Sequence, residues 1–205
     1  GNVTVGYGTF SYPEGNSVSQ IANSRNNVTS RMILGKNGET LQTTAAFDAT
    51  CANLKTCNKP QWVKDARGNQ TDYTYSPDHG GVLTETLPED ANGIRPQERN
   101  TYAQRYAWIS NGSGGYVQAA SPIWVLTEMR TCRTSATVGN ACSGGTADEV
   151  VTSYDYGPDS GPNTLLLRGI AVTADGQTLR TCYSYDTRGR KISETTPNAN
   201  LASCP

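Results

Sequence analysis

Tyr183-Ser184-Tyr185-Asp186-Thr187-Arg188-Gly189-Arg190-Lys191-Ile192-Ser193-Glu194-Thr195 is the stretch whose reading decides the fold. Its two tyrosines stand two residues apart, and a strand has a side-chain period of two, so both rings share one face. Asp186 follows, a residue that starts turns by hydrogen-bonding the backbone just ahead of it. Gly189 supplies the left-handed conformation that a tight turn needs. Lys191–Thr195 then resumes an extended pattern. The stretch reads as one β-hairpin with an aromatic face.

The same hairpin recurs along the chain. Asp65–Tyr75, a turn and Val82–Pro88 lie on Ala174–Asp186, a turn and Lys191–Pro197. Tyr73 and Tyr75 fall on Tyr183 and Tyr185, and Glu85-Thr86 with Pro88 fall on Glu194-Thr195 with Pro197. Tyr154-Asp155-Tyr156 is a third tyrosine pair, and Lys36–Thr40 leading to Phe47-Asp48 is a weaker copy with Phe in the Tyr place. Ala52–Cys57 echoes Ala199–Cys204, so the cysteine loops belong to the repeat. The chain holds 11 Tyr against 2 Phe and 3 Trp, and the three pairs account for more than half of the tyrosines. Tyr suits half-wet sheet surfaces, and aromatic ladders across neighbouring strands are expected from these pairs.

Helical periodicity is nearly absent. Alternating runs predict strands over Val3–Tyr12, Thr40–Phe47, Gln61–Lys64, Gln70–Tyr75, Val82–Leu87, Thr101–Ile109, Ile123–Cys132, Val150–Tyr156, Leu165–Thr173, Thr178–Tyr185 and Lys191–Thr195. Turn signals separate them at Lys36-Asn37-Gly38, Ala66–Asn69, Asp78–Gly81, Ala174-Asp175-Gly176 and Thr187-Arg188-Gly189. One helical turn is expected near Ser17–Asn23. The fold class expected is all-β: consecutive antiparallel hairpins in a curved repeat sheet, a piece of a shell or solenoid. Residues 1–35 read as an N-terminal strand and loop region, and 36–205 as degenerate hairpins with stapled loops.

Tyr183–Thr195 resembles the YD repeat of the Rhs and teneurin proteins, whose pattern runs roughly Y-x-Y-D-x-x-G-R-L and then further strand. Ile192 stands near the usual Leu place. Asp65–Tyr75 is similar to the same unit with Ser76 replacing the usual Asp, and Tyr154–Gly157 is a looser likeness. The resemblance covers residues 36–197. It implies hairpins wound into a long curved sheet, which in bacterial relatives spirals into a hollow shell around a cargo polypeptide and in teneurins stands on the cell surface. The Asp-Pro-x-Gly core that closes the bacterial shell does not occur in this sequence. Cysteine loops suit an extracellular or surface-attached relative better than a sealed toxin.

Length and composition exclude several classes. The chain has 205 residues, a formal net charge of -1, 35% hydrophobic and 17% charged residues. No apolar run approaches the ~20 residues of a membrane helix. Scattered Lys and Arg at this net charge give no footprint for nucleic acid. The sequence begins at Gly1 with no leader, so it reads as a mature chain or an excised piece. Cys51 with Cys57 and Cys132 with Cys142 each bracket a polar, turn-rich loop, and Cys182 with Cys204 is then the remainder. The rival reading is zinc, whose signatures use close C-x-x-C pairs that this chain lacks. Paired disulfides imply an oxidising compartment: secretion, periplasm or cell surface.

Little points to chemistry. His79 is the single His and sits in a turn; no G-x-S-x-G elbow accompanies it. Glu85, Glu128, Glu194 and Asp155 are the carboxylates from which a hydrolytic pair would be drawn, yet Glu85 and Glu194 occupy one repeat position and so read as strand decoration. No catalytic set, cofactor motif or EF-hand spacing is expected. Trp62, Trp108 and Trp124 are the candidate binding residues, by stacking on sugars, against the ordinary reading as hairpin core. Asn2, Asn27, Asn69 and Asn111 head glycosylation sequons. The leading expectation is a non-enzymatic structural module that associates with neighbouring repeats or copies of itself, around an enclosed polypeptide in the shell case. The alternative is an adhesin-like module that binds surface glycans or a protein through its aromatic face.

Overall fold

The computed structural model describes residues 4–204. It divides into two compact units, Gly1–Gln97 and Glu98–Pro205; residue 35 falls inside the first. The first unit carries β1 (Thr4–Ser11), β2 (Ser17–Asn23), β3 (Val28–Leu34), β4 (Thr40–Phe47), β5 (Pro60–Lys64), β6 (Gln70–Tyr75) and β7 (Val82–Thr86). Each pairs antiparallel with the next in sequence order. The second unit takes all but the first residue of β8 (Gln97–Arg105), then β9 (Trp108–Ser110), β10 (Tyr116–Gln118), β11 (Ile123–Cys132), β12 (Thr137–Val138), β13 (Ala141–Cys142), β14 (Glu149–Asp155), β15 (Gly169–Ala174), β16 (Gln177–Tyr185) and β17 (Lys191–Glu194). Its sheet runs β8-β11-β14-β15-β16-β17, antiparallel throughout, while β9–β10 and β12–β13 stand off it as small hairpins. Two 3-10 turns, Thr146–Asp148 and Pro197–Ala199, are the helical segments of the described residues.

One local device builds most of the turns. At Tyr12, Asn23, Gly35, Asp65, Asp90 and Asp186 the amide donates to the carbonyl four residues on, and the carbonyl accepts from the amide three residues on. The residue at that third position is left-handed in every case: Gly15, Asn26, Gly38, Gly68, Gly93 and Gly189, with φ between 62° and 92°. Where the first residue is Asp or Asn, its side-chain oxygen also accepts from the amides two and four residues on. This holds at Asn23, Asp65, Asp90 and Asp186, and likewise at Asn111. The side chain thus takes up amides that the tight bend leaves unpaired. At Asp175-Gly176 the loop is two residues with φ of 52° and 71°, the twist-matched hairpin turn.

Several elements differ from the sequence expectation. Ser17–Asn23 is a strand rather than a helical turn. Val18 and Ile21 are spaced like one helical face, but β1 and β3 pair with both edges of the segment, and six ladder partners on each side outweigh a weak local preference. Val28–Leu34, read as loop, is β3. The strand expected from Leu165 begins only at Gly169, because Leu165 sits at φ 59°, outside the strand region. The run Thr101–Ile109 is two strands: β8 pairs with β11, and β9 turns away to pair with β10.

There is little conventional core. The buried apolar residues among those described are Cys57, Val125, Cys142, Ala171 and Cys182. Cys57, Cys142 and Cys182 each belong to a different disulfide, the three bonds being Cys51–Cys57, Cys132–Cys142 and Cys182–Cys204. Half-cystines are thus three of the five buried apolar residues among those described, and with its disulfides the chain suits an oxidising, non-cytoplasmic environment. Gly169 shows how closely one is packed, since a β-carbon there would collide with Sγ of Cys204.

Two outcomes are expected. In the loop-closure picture, replacing both cysteines of Cys182–Cys204 (separation 22) costs about 3 kcal/mol, and of Cys51–Cys57 (separation 6) about 2 kcal/mol. Denaturant titration of the two double variants checks the order. Asp65, Asp90 and Asp186 are held below the usual carboxylate range: Asp65 foremost by the Asn69 side-chain amide, Asp90 by the Ile94 backbone amide and Asp186 by the Arg190 backbone amide. Because the folded values lie below the unfolded ones, this stability is complete above the unfolded aspartate value of ~4 and drains away as pH falls through the folded values. Melting curves are expected to hold steady from neutral pH to about pH 4 and to drop below it.

Candidate functional site

The tyrosine pairs share one geometry. In each pair the second ring donates its hydroxyl to a backbone carbonyl of the sheet strand before it: Tyr75 to Pro60 at 2.8 Å, Tyr156 to Leu126 at 3.1 Å, and Tyr185 to Leu167, just ahead of β15, at 2.7 Å. Burial pushes Tyr75 up to about 12 and raises Tyr73, Tyr154 and Tyr156, so these hydroxyls remain protonated. The two good copies agree in register as well. Tyr73 stands opposite Glu85 and Tyr183 opposite Glu194, and both ladders slip just before the second tyrosine. A lysine lies near a ring in each, Lys59 at 5.5 Å from the Tyr75 centroid and Lys191 at 5.3 Å from that of Tyr183.

At the first tyrosine of each pair the directly facing residue is not aromatic. Register places Glu85, Glu194 and Ile170 opposite Tyr73, Tyr183 and Tyr154, so no aromatic faces an aromatic there. Stacking runs along one strand instead, with Tyr73 and Tyr75 at 6.3 Å and 20°. Tyr73 also donates to Glu85 Oε1 at 3.3 Å.

The residues weighed for catalysis are engaged structurally. His79 Nδ1 accepts from the Gly81 amide inside its turn. Glu128 pairs with Arg130, Glu194 with Lys191, and Asp155 accepts from the Gly157 amide. Half-buried Glu149 bridges Arg99 and Arg130, each at 2.8 Å. Asp148 gathers both amides and both hydroxyls of Thr134 and Ser135, and the Ser135 hydroxyl is the foremost cause of its lowered pKa. Asp148 also lies near Cys132 and Cys142 with ligand atoms within 4.8 Å, but both sulfurs are joined in one disulfide and neither is a thiolate.

The three tryptophans do not form one site. Trp62 is on β5 in the first unit, under Lys64 at 5.5 Å. Trp124 is on β11, 38% exposed. Trp108 lines a half-open groove of about 950 Å³ in the second unit. It is lined by Tyr183–Tyr185 of β16, by Trp108–Ser110 with Tyr116 of the β9–β10 hairpin, by residues of the Pro162–Arg168 segment and by the Asp186–Gly189 turn. The Pro162–Arg168 segment is fixed at both ends. Asn163, 1% exposed, exchanges backbone hydrogen bonds with Trp108, and Arg168 pairs through its backbone with Asp155 and Tyr183. Sequence reasoning named Trp108, Tyr183 and Tyr185 separately. Their convergence depends on β9 leaving the sheet, for which the sequence carries no local signal.

No family model matches the chain. No curated protein matches it either. Among solved structures, a porin-like protein from Bacteroides uniformis is similar at 13% identity and a TM-score of 0.37, over 88% of this chain and 59% of that one.

The hydroxyl bonds are testable. Tyr75→Phe and Tyr185→Phe are each expected to cost about 1 kcal/mol, the worth of one such bond. Tyr185→Ala, which also removes the ring, is expected to cost about 3 kcal/mol. Urea unfolding of the variants measures both, and unchanged midpoints would mean that the rings are not packed.

Proposed function

We propose that the chain is a non-enzymatic structural module, exported to the cell surface, the extracellular space or the periplasm: a segment of a YD-repeat scaffold or shell of the kind Rhs and teneurin proteins build. The observation that carries this reading is the recurrence of one hairpin in three dimensions. Tyr75, Tyr156 and Tyr185 make the same hydroxyl-to-carbonyl bond, and the copies at Tyr73 and Tyr183 keep the same register. The chain's surface supports a partner for the sheet. It exposes 12820 Å², against about 9,300 Å² for a compact monomer of this mass, and about 11,200 Å² for two separate globules of half the mass. In the first unit Phe10, Val18, Ile33 and Leu41 face one another in a row across β1–β4, and Phe10 and Leu41 are 62% and 56% exposed. Further repeats or copies of the chain would cover such a row, as would a polypeptide enclosed by the shell.

Sedimentation velocity over a hundredfold range of concentration tests the reading. Concentration-dependent association is expected, weakened by Leu41→Glu, which puts a charge on the row without touching a turn. A strictly monomeric chain at millimolar concentration would overturn self-association.

A further inference from the structure

The groove on the second unit carries chemistry that a scaffold does not need. Trp108, Tyr116, Tyr183 and Tyr185 line it, together with Ser184 and Thr164. Its volume of about 950 Å³ lies at the upper end of the ~300–1,000 Å³ typical of small-ligand sites. Two guanidinium groups, Arg168 and Arg188, line the same space. Among the described residues neither is ion-paired: Arg168 donates only to the Pro162 carbonyl, and Arg188 engages Asp186 through its backbone amide alone. The one carboxylate on the rim, Asp186, is occupied by Arg190 at 2.7 Å and by the turn amides. The groove is therefore aromatic, hydroxyl-lined and net cationic, in a chain whose overall charge is -1.

We infer that this groove binds an oligosaccharide bearing uronic acids. The C–H faces of a pyranose are weakly positive at their hydrogens and lie against the negative faces of aromatic rings. The ring carboxylate of a uronate matches the planar fork of an arginine, and two arginines take two such groups. Sugar hydroxyls pair with Thr164 and the Tyr116 hydroxyl. Two cations are too few for the phosphate-tracking stripe of a nucleic-acid site. The walls are set before binding, because Asn163 and the backbone of Arg168 hold the Pro162–Arg168 segment in place, so little ordering opposes the ligand.

Titration of the full chain with a galacturonic acid trimer, a neutral galactose trimer and a sulfated galactose trimer, followed by calorimetry, tests the assignment. The uronate trimer is expected to bind, the neutral trimer at least about tenfold more weakly, and the uronate affinity to fall as salt rises. Arg188→Gln and Tyr116→Ala, both at exposed positions, are each expected to weaken uronate binding by about tenfold with an unchanged melting temperature. Trp62→Ala, on the first unit, leaves the affinity unchanged. Equal binding of the neutral trimer, preference for the sulfated one, absence of binding, or indifference to both groove variants would overturn the inference. Sedimentation of the same samples reports separately on the scaffold reading, which stands or falls without the groove.

Discussion

The hydrogen bonds at the start of each turn are what the rest of the structure depends on. An Asp or Asn oxygen takes the amides two and four residues ahead, and a left-handed residue at the third position lets the chain reverse within that span. The reversal sets which residues face each other on the two strands, and a slip of one would turn every side chain to the opposite face. In Asp65, Asp90 and Asp186 the bonds favour the ionised carboxylate, which ties the strength of these turns to pH. Glycine earns its place here at Gly68 and Gly189 for conformation, and at Gly169 for the room a disulfide needs.

Turns of this kind build a sheet but no second layer to pack on it. The tyrosine hydroxyls answer part of that need, since each reaches a neighbouring carbonyl while its ring covers sheet surface between. The disulfides answer another part by burying one half-cystine each. What remains uncovered includes the row from Phe10 to Leu41, whose two end residues are 62% and 56% exposed. That combination of local hairpins, closed loops and an exposed apolar row is what supports the scaffold proposal.

Much of this was legible in the residues. Y-x-Y followed by Asp and Gly marks a strand running into a tight turn, and the structure places Asp186 and Gly189 in those roles. The short polar loops between cysteines brought the partners within bonding reach. Ser76, standing where the pattern has Asp, accepts from the Asp78 amide alone, in a turn one residue longer. The misreadings have a common cause. Ser17–Asn23 and Val28–Leu34 have no distinctive local pattern, and they are strands because neighbours on both sides offer backbone partners. Aromatic ladders were expected from the pairs alone, whereas the facing residue is chosen by the turn on the far side of the strand.

The sequence by itself determined the turns at Lys36–Gly38, Ala66–Asn69, Asp78–Gly81, Ala174–Gly176 and Thr187–Gly189 and the loop staples, because each rests on contacts within about twenty residues. Only the tertiary structure decided that β9 leaves the sheet to pair with β10, that Asn163 pins the loop beside it, and that Trp108 thereby meets Tyr183 and Tyr185 in one groove. The physical reason is range. A turn is closed by its own side chain, whereas a groove is closed by residues some 75 apart in the chain, brought together by the pairing of strands that lie between them.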